Sequence, residues 1–155
     1  MDIPEKPYVA LYGTFFGDWR QQAKTKLDAH HITWYDSTDP GWDGINDANG
    51  DEKQPEINAL VRKEHLGLSK ARCVIFYLAR REIRHGQPTG ATTMSLAARC
   101  ELGFLAGRNI RTFVHIEPDV VGRNYLWALL AVYSATMTHC ATLEEAVDRA
   151  IEFMR

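Results

Sequence analysis

Residues 72–79, RCVIFYLA, are apolar without interruption from Cys73 to Leu78. A strand with one face in water alternates apolar and polar residues, whereas a strand covered by helices on both faces has no need to. The stretch therefore predicts an inner strand of a parallel sheet that lies between two layers of helices.

The segments on either side of this strand alternate between short β-rich runs and helical periodicities. The other predicted strands are YVALYG (8–13), HITWYD (31–36), RTFVHIEP (111–118) and SATMTH (134–139). The predicted helices are DWRQQAKTKLDAH (18–30), PEINALVRKEHLGLSKA (55–71), SLAARCELGFLAGRNI (95–110), a short helix over 124–132, and TLEEAVDRAIEFMR (142–155). This order predicts an α/β fold, a three-layer α/β/α sandwich with a five-stranded parallel sheet of the flavodoxin/Rossmann-like kind, and one domain over residues 1–155.

Composition excludes several classes of partner. With 155 residues, a net charge of −2 and 25% charged residues, the chain has no basic surplus that would favour nucleic acid or an anionic membrane. Its first residues indicate no signal peptide, and it has no apolar run of the roughly 18 residues that span a bilayer, so a cytoplasmic location is expected. Cys73, Cys100 and Cys140 are predicted to be reduced core residues.

Ligands of parallel α/β sheets bind at the carboxyl ends of the strands, near the point where the strand order reverses. Three segments should therefore converge on the site: 13–20, 78–95 and 117–124. No metal-ligand spacing or dinucleotide fingerprint is present in them, and no cofactor is expected.

Glu101 is the residue that an apolar helix leaves unexplained. Its neighbours at helical spacing are Ala97, Ala98, Phe104 and Leu105, so no cation pairs with it along the helix. The helix pattern is compatible with an exposed acid, with an acid paired to a distant Arg, and with a partly buried carboxylate beside a ligand. In the last case it could serve as nucleophile or acid/base at a sugar carbon, whose cationic transition state an anion stabilises.

Residues 95–116, SLAARCELGFLAGRNIRTFVHI, resemble the signature of the nucleoside 2-deoxyribosyltransferase superfamily, which includes the deoxyribonucleoside 5′-monophosphate N-glycosidases. The hallmark of that family is Glu-Leu-Gly on the helix after the third strand. Its Glu attacks the anomeric carbon and forms a covalent glycosyl-enzyme intermediate. The resemblance implies that Glu101 is the nucleophile of an enzyme that cleaves or transfers at the N-glycosidic bond of a (deoxy)nucleoside or its 5′-monophosphate.

Two further positions carry the resemblance. Glu64 stands where the family has a carboxylate on the preceding helix, which implies a catalytic acid; a solvated Glu on a charged helix is the alternative. Ser95 and Leu96 match the Ser-Leu of the monophosphate glycosidases, where the transferases have Asp. Ser95 would then bind a 5′-phosphate at the helix N-terminus, or it merely caps the helix.

The first loop, YGTFFGDWRQ (12–21), occupies the place of the family's loop after strand one. Its glycine permits close backbone approach to a ligand, its threonine offers a hydroxyl, and its paired aromatics could stack on a base or belong to the core. The substrate-binding residues predicted here are Gly13, Thr14, Phe15, Phe16 and Asp18.

The chain also departs from the family pattern. Phe16 replaces an Arg that holds phosphate in the glycosidases, for which Arg20 is a possible substitute, and neither Tyr8 nor Tyr12 matches the register of the family's strand-one Tyr. Members commonly complete the site with an Asn or Ser from a neighbouring subunit, which implies a homo-oligomer with Asn124 in that place. A dense basic cluster after strand three is either a solvated loop or a phosphate contact; it comprises Arg80, Arg81, Arg84 and His85.

Because of these departures, a second hypothesis stays open: a non-catalytic nucleotide-binding or sensing module of the same fold. A hydrolase of NAD or of a cytokinin-type nucleotide is a third, less favoured, since its Gly-rich phosphate loop is absent.

Overall fold

The computed structural model describes residues 2–14, 17–36, 38, 51–79, 96–120, 122–133 and 135–155, without the side chains of residues 96, 97 and 99. Strands and helices alternate along these ranges. The strands are β1 (Val9–Gly13), β2 (Trp34–Asp36), β3 (Cys73–Leu78), β4 (Thr112–Ile116) and β5 (Met137–Cys140). The helices are α1 (Trp19–Ala29), α2 (Gln54–Lys70), α3 (Leu96–Gly107), α4 (Arg123–Val132) and α5 (Leu143–Met154).

The strands form one parallel sheet in the order β2-β1-β3-β4-β5. The uninterrupted apolar stretch that predicted an inner strand is β3, at the centre of this sheet. The strand order reverses between β1 and β3, which are hydrogen-bonded neighbours with Gly13 opposite Tyr77. The predicted α/β sandwich on a five-stranded parallel sheet is therefore confirmed.

Each face of the sheet is covered by its own helices. Phe76 and Val114 point into a core shared with α2, α3 and α4, which we call the α2/α3/α4 face. Ile75 and Phe113, one residue earlier on the same strands, point into a core shared with α1 and α5, the α1/α5 face. This alternation follows from the period of two along a strand, and it explains why β3 is apolar at every position.

The ends of the helices confirm some local predictions and correct others. Thr142 caps α5, accepting a hydrogen bond from the backbone N–H of Glu145 at 3.0 Å. Asp18 precedes α1 as expected, but its side chain makes no capping hydrogen bond. The fifth strand is Met137–Cys140 and so begins later than the predicted run 134–139.

The cysteines are all free thiols, but they do not share one environment. Cys73 and Cys140 are buried, as predicted, whereas Cys100 is exposed, so the prediction of a core residue was wrong there. The physical reason is helix rotation: α3 turns the next two residues, Glu101 and Leu102, toward the sheet and Cys100 toward solvent. In the part of the chain that the structure describes, no helix combines the length and apolar character needed to cross a membrane.

Candidate active site

The carboxyl ends of β1, β3 and β4 are joined by backbone hydrogen bonds just beyond the strands. The N–H of Thr14 donates to the carbonyl oxygen of Tyr77 at 2.8 Å, and the N–H of Glu117 donates to that of Leu78 at 2.8 Å. The N–H of Ala79 donates to the hydroxyl oxygen of Thr14 at 2.9 Å. The predicted convergence is thus confirmed where it is described; residues 80–95 of the second segment lie outside the described residues.

Gly13 is required by the neighbouring strand. Its φ is +110°, and a Cβ there would lie 2.1 Å from the carbonyl oxygen of Tyr77. No side chain fits in that space, so the glycine serves the close approach of β1 to β3. The hydroxyl of Thr14 is likewise engaged by the backbone of Ala79.

Arg20, in the first turn of α1, is buried and fastens the first loop to β2. Its Nη1 donates to the carbonyl oxygen of Thr14, and its Nη2 donates to that of Gly13 at 3.4 Å. Its Nε lies 3.0 Å from Oδ1 of Asp36, whose Oδ2 lies 2.5 Å from Nζ of Lys24. The guanidinium therefore holds the ends of two strands together while keeping its charge inside the protein.

Asp36 is the anion that compensates this buried charge. Burial alone would raise its pKa, but hydrogen bonds from Lys24 and Thr38 and the charge of Arg20 hold the pKa below its ordinary value. Asp36 is therefore ionised at neutral pH and paired on both carboxylate oxygens.

Glu64 on α2 and Glu101 on α3 form the second charged group of the region. Each is only 7% exposed. Burial, together with the negative charge of Glu64, raises the pKa of Glu101 to about 8, while the positive charge of Arg20 acts in the opposite direction. Glu64 and Arg20 are thus both close enough to Glu101 to affect its protonation.

Tyr12 on β1 lies beside both carboxyl groups. Its hydroxyl donates to the backbone carbonyl oxygen of Glu64 at 2.7 Å. Burial raises the pKa of Tyr12, and the charges of Tyr35, Glu64 and Glu101 raise it further, so its hydroxyl keeps its proton. Four residues earlier, directly before β1, Tyr8 donates to the carbonyl oxygen of Gly67 at 2.7 Å, and the two tyrosines together dock one turn of α2 on the sheet.

This arrangement supports acid–base chemistry by a carboxyl pair. Two carboxyl groups in a low-dielectric environment do not ionise independently, and the pair retains one proton over a wide pH range. One member is then an acid and the other an anion, which is the combination used to break a bond at a sugar carbon.

The remaining predicted site residues are either exposed or outside the described residues. Asp18 is exposed just before α1, and Asn124 is exposed in the first turn of α4. Phe15, Phe16 and Ser95 lie outside the described residues, as does the basic cluster of residues 80–85.

Two interactions of this region were not predicted from the sequence. The first is the hydrogen bond of Tyr12 to Glu64, and the second is the ion pair of Arg20 with Asp36. For Glu64 a signal was present: it lies four residues from both Leu60 and Leu68, on the helix face that packs inward. No local signal pairs Arg20 with Asp36, because their contact depends on β1 and β2 being neighbours.

The family model described as nucleoside 2-deoxyribosyltransferase like matches residues 6–120. The match covers about three quarters of the chain and includes Glu64, Glu101, and the strands from β1 to β4. A comparison with curated proteins finds no match. Since the family match extends well beyond half of the sequence and contains the buried carboxyl pair, the chain belongs to the nucleoside 2-deoxyribosyltransferase-like family.

Proposed function

We propose that this protein cleaves or transfers at the N-glycosidic bond of a (deoxy)nucleoside or its 5′-monophosphate through a covalent glycosyl-Glu101 intermediate. The observation that carries the proposal is the buried pair of Glu64 and Glu101 beside the cation of Arg20. Membership in the family makes nucleoside chemistry the expected use of such a pair.

The resting pair supplies both groups that the first step needs. With its pKa raised to about 8, Glu101 holds the shared proton near neutral pH. Transfer of that proton to Glu64 leaves Glu101 ionised, and Arg20 favours this state because its charge lowers the pKa of Glu101. The step changes no net charge, so it adds no uncompensated charge to the buried site.

In the first step an oxygen of Glu101 bonds to C1′ as the bond from C1′ to the base nitrogen breaks. The bond's electron pair leaves with the base, which takes its proton from Glu64. In the second step water, or the nitrogen of a second base, attacks C1′ and restores the Glu101 carboxylate, and the nucleophile's proton passes to Glu64. Water gives hydrolysis, and a second base gives transfer.

The first loop would hold the substrate above the pair. In this proposal the 5′-phosphate of a nucleotide binds at the N-terminal end of α3. The residues assigned to substrate binding are Gly13, Thr14, Phe15, Phe16, Asp18, Ser95 and Asn124.

The proposal includes a single domain over residues 1–155 that forms a homo-oligomer. Supporting this, α4 exposes Tyr125 at 73% and Val132 at 76%, on the same helix as Asn124. Large exposed apolar side chains on one helix favour contact with another protein surface. Sedimentation velocity should give a mass above that of one chain for the wild type, and a monomer would refute this part.

Base release is the experiment that tests the reaction. The protein is incubated with a panel of deoxynucleosides and their 5′-monophosphates, with and without a second free base, and the products are separated by liquid chromatography. We expect free or exchanged base with the wild type and none with Glu101→Ala. No release from any substrate, or full activity in Glu101→Ala, would defeat the proposal.

A nucleotide-binding module without turnover is the second candidate. It is favoured by the raised pKa of Glu101, since a protonated carboxyl group donates a hydrogen bond to a ligand but does not attack it. Calorimetric titration that shows tight nucleotide binding without base release would select this alternative.

A further inference from the structure

A second polar cluster lies at the same edge of the sheet but on the α1/α5 face. It consists of Tyr77 on β3, His115 on β4 and Glu117 just after β4. The hydroxyl of Tyr77 donates to Oε1 of Glu117 at 2.8 Å, and Nε2 of His115 lies 3.3 Å from the same oxygen. Oε1 of Glu117 is therefore held from two sides by neighbouring strands.

The second nitrogen of His115 anchors the ring. Nδ1 lies 3.1 Å from the backbone carbonyl oxygen of Cys140. A carbonyl oxygen only accepts, so Nδ1 donates to it. His115 is thus tied to β5 on one side and lies against Oε1 of Glu117 on the other, and together with the hydroxyl of Tyr77 it fixes the orientation of the Glu117 side chain.

This arrangement leaves one oxygen of Glu117 available. The side-chain contacts of Glu117 with the described residues all involve Oε1, and its side chain is 34% exposed. Glu117 directly follows the carboxyl end of β4, beside the end of β3, where ligands of parallel α/β sheets bind. An acceptor whose orientation is fixed before a ligand arrives costs little entropy on binding.

We propose that Glu117 is a substrate-binding residue, with Oε2 accepting a hydrogen bond from an N–H or O–H group of the nucleoside. This inference rests on the proposed function. The donor is either an N–H of the base or a hydroxyl of the sugar. Glu101 lies near Tyr12, on the α2/α3/α4 face, and Glu117 is bonded to Tyr77, on the α1/α5 face. In this proposal, a ligand that contacts both lies across the edge of the sheet.

The negative charges around the hydroxyl of Tyr77 disfavour a phosphate group beside Glu117. Burial raises the pKa of Tyr77, and the hydrogen bond to Glu117 and the charges of Asp119 and Asp18 raise it further. The acids near this hydroxyl would repel a phosphate. A 5′-phosphate therefore lies at the other end of the ligand, and the group that Glu117 binds is a donor.

Binding is measured by calorimetry in the Glu101→Gln background, so that no ligand is consumed. Deoxyadenosine is compared with two analogues. Purine 2′-deoxyriboside lacks the amino group of the base, and 3′-deoxy-deoxyadenosine lacks the 3′-hydroxyl of the sugar. Thymidine is compared in the same way with N3-methylthymidine and its 3′-deoxy analogue. Each affinity is then measured again after Glu117→Gln is added to Glu101→Gln. The amide nitrogen of the new side chain would place a donor where Oε2 accepts.

We expect Glu117→Gln to weaken each parent nucleoside by about ten- to hundredfold, the usual effect of losing a charged acceptor. For one analogue of each parent, Glu117→Gln should change the affinity by less than about threefold, because that analogue lacks the donor that Glu117 binds. The analogue therefore shows whether the donor belongs to the base or to the sugar. As a matched control, Asp119→Asn removes a nearby exposed charge and should leave all affinities within about twofold. Tyr77→Phe, which releases Oε1 but keeps the carboxylate, should give an intermediate loss.

The two proposals fail in different ways. Equal affinities with Glu and with Gln at position 117 would overturn this inference alone, even if base release is observed. Selective binding that depends on Glu117 would support it even if no base is released. Failure of every nucleoside to bind would overturn this inference, whereas the proposed function stands or falls with the base-release assay.

Discussion

The negative charge of Glu64 on α2 helps to raise the pKa of Glu101 on α3. The two side chains come from different helices, yet both are buried against the face of the sheet on which Tyr12 lies. A carboxyl pair of this kind links the stability of the protein, its pH dependence and its chemistry to the same proton. Each link leads to a separate test.

The stability of the wild type should fall as the pH rises from about 4.5 to about 8. Burial raises the pKa of Glu101 from 4.5 to about 8, so in this range the folded state holds a proton that the unfolded state has lost. The stabilising effect is complete below 4.5 and is lost as the pH approaches 8, with a slope of about 1.4 kcal/mol per pH unit for one group. Urea denaturation at several pH values measures it.

Glu101→Gln provides the comparison for this slope. The neutral amide has no proton to lose, so the variant should become more stable relative to the wild type as the pH rises through the same range. Glu56→Gln, at an exposed position of α2, is the matched control and should follow the wild-type slope. Parallel curves for the wild type and Glu101→Gln would show that Glu101 does not hold the proton.

Glu64→Gln should remove the basic limb from the pH dependence of base release. In the wild type the reactive state is the pair with one proton, so kcat/KM should fall as the pH rises above about 8, where that proton is lost. Removing the charge of Glu64 lowers the pKa of Glu101, and Glu101 alone must then be ionised, so kcat/KM of the variant should rise with pH and stay level above pH 8. The maximal rate should be lower by about a hundredfold or more, because the proton donor is lost. A fall above pH 8 that persists in Glu64→Gln would contradict the coupling.

Tyr12→Phe and Tyr8→Phe separate the stability of α2 from the position of Glu64. Each variant removes one buried hydroxyl that donates to a carbonyl oxygen of α2, so each should cost about 1 kcal/mol of unfolding free energy. Of the two tyrosines, Tyr12 is the one that bonds to the backbone of Glu64, and so Tyr12→Phe, unlike Tyr8→Phe, should lower kcat by several-fold. Denaturation and base-release assays on both variants check this. Equal rates would mean that Tyr12 has a structural role alone.

Gly13→Ala should be far more damaging than Gly17→Ala. Both glycines have positive φ, +110° and +83°, but only at position 13 would the Cβ meet a backbone atom, the carbonyl oxygen of Tyr77. Gly17→Ala should cost about 1–2 kcal/mol for the backbone conformation. Gly13→Ala should cost several kcal/mol or prevent folding. Comparable melting temperatures of the two variants would contradict the tight contact between β1 and β3.

The architecture could be predicted from the sequence because local patterns determine it. The uninterrupted apolar run of β3 and the alternation of strands and helices specify the layers, whatever the order of the strands. The burial of Glu101 could be considered but not settled, because one helix pattern admits several surroundings for it. For Glu64, the alternative of a solvated side chain was wrong, because Glu64 is buried. Its neighbours Arg62 and Lys63 are exposed or partly exposed, but the helix turns Glu64 toward the core.

The contacts between distant segments could not be predicted. The pairing of Arg20 with Asp36, and that of Tyr77 with Glu117, depend on which strands are neighbours in the sheet. Strand order is a property of the whole fold, and nothing in the residues around Asp36 or Glu117 specifies the partner.

The most direct test of the proposed reaction is whether Glu101 carries the sugar during turnover. The protein is mixed with a deoxynucleoside that it cleaves, quenched in acid and digested, and the peptides are analysed by mass spectrometry. We predict a deoxyribosyl group on the peptide that contains Glu101, and none in Glu101→Gln. Base release without an adduct, or with the sugar attached to a different residue, would contradict the assignment of Glu101 as the nucleophile.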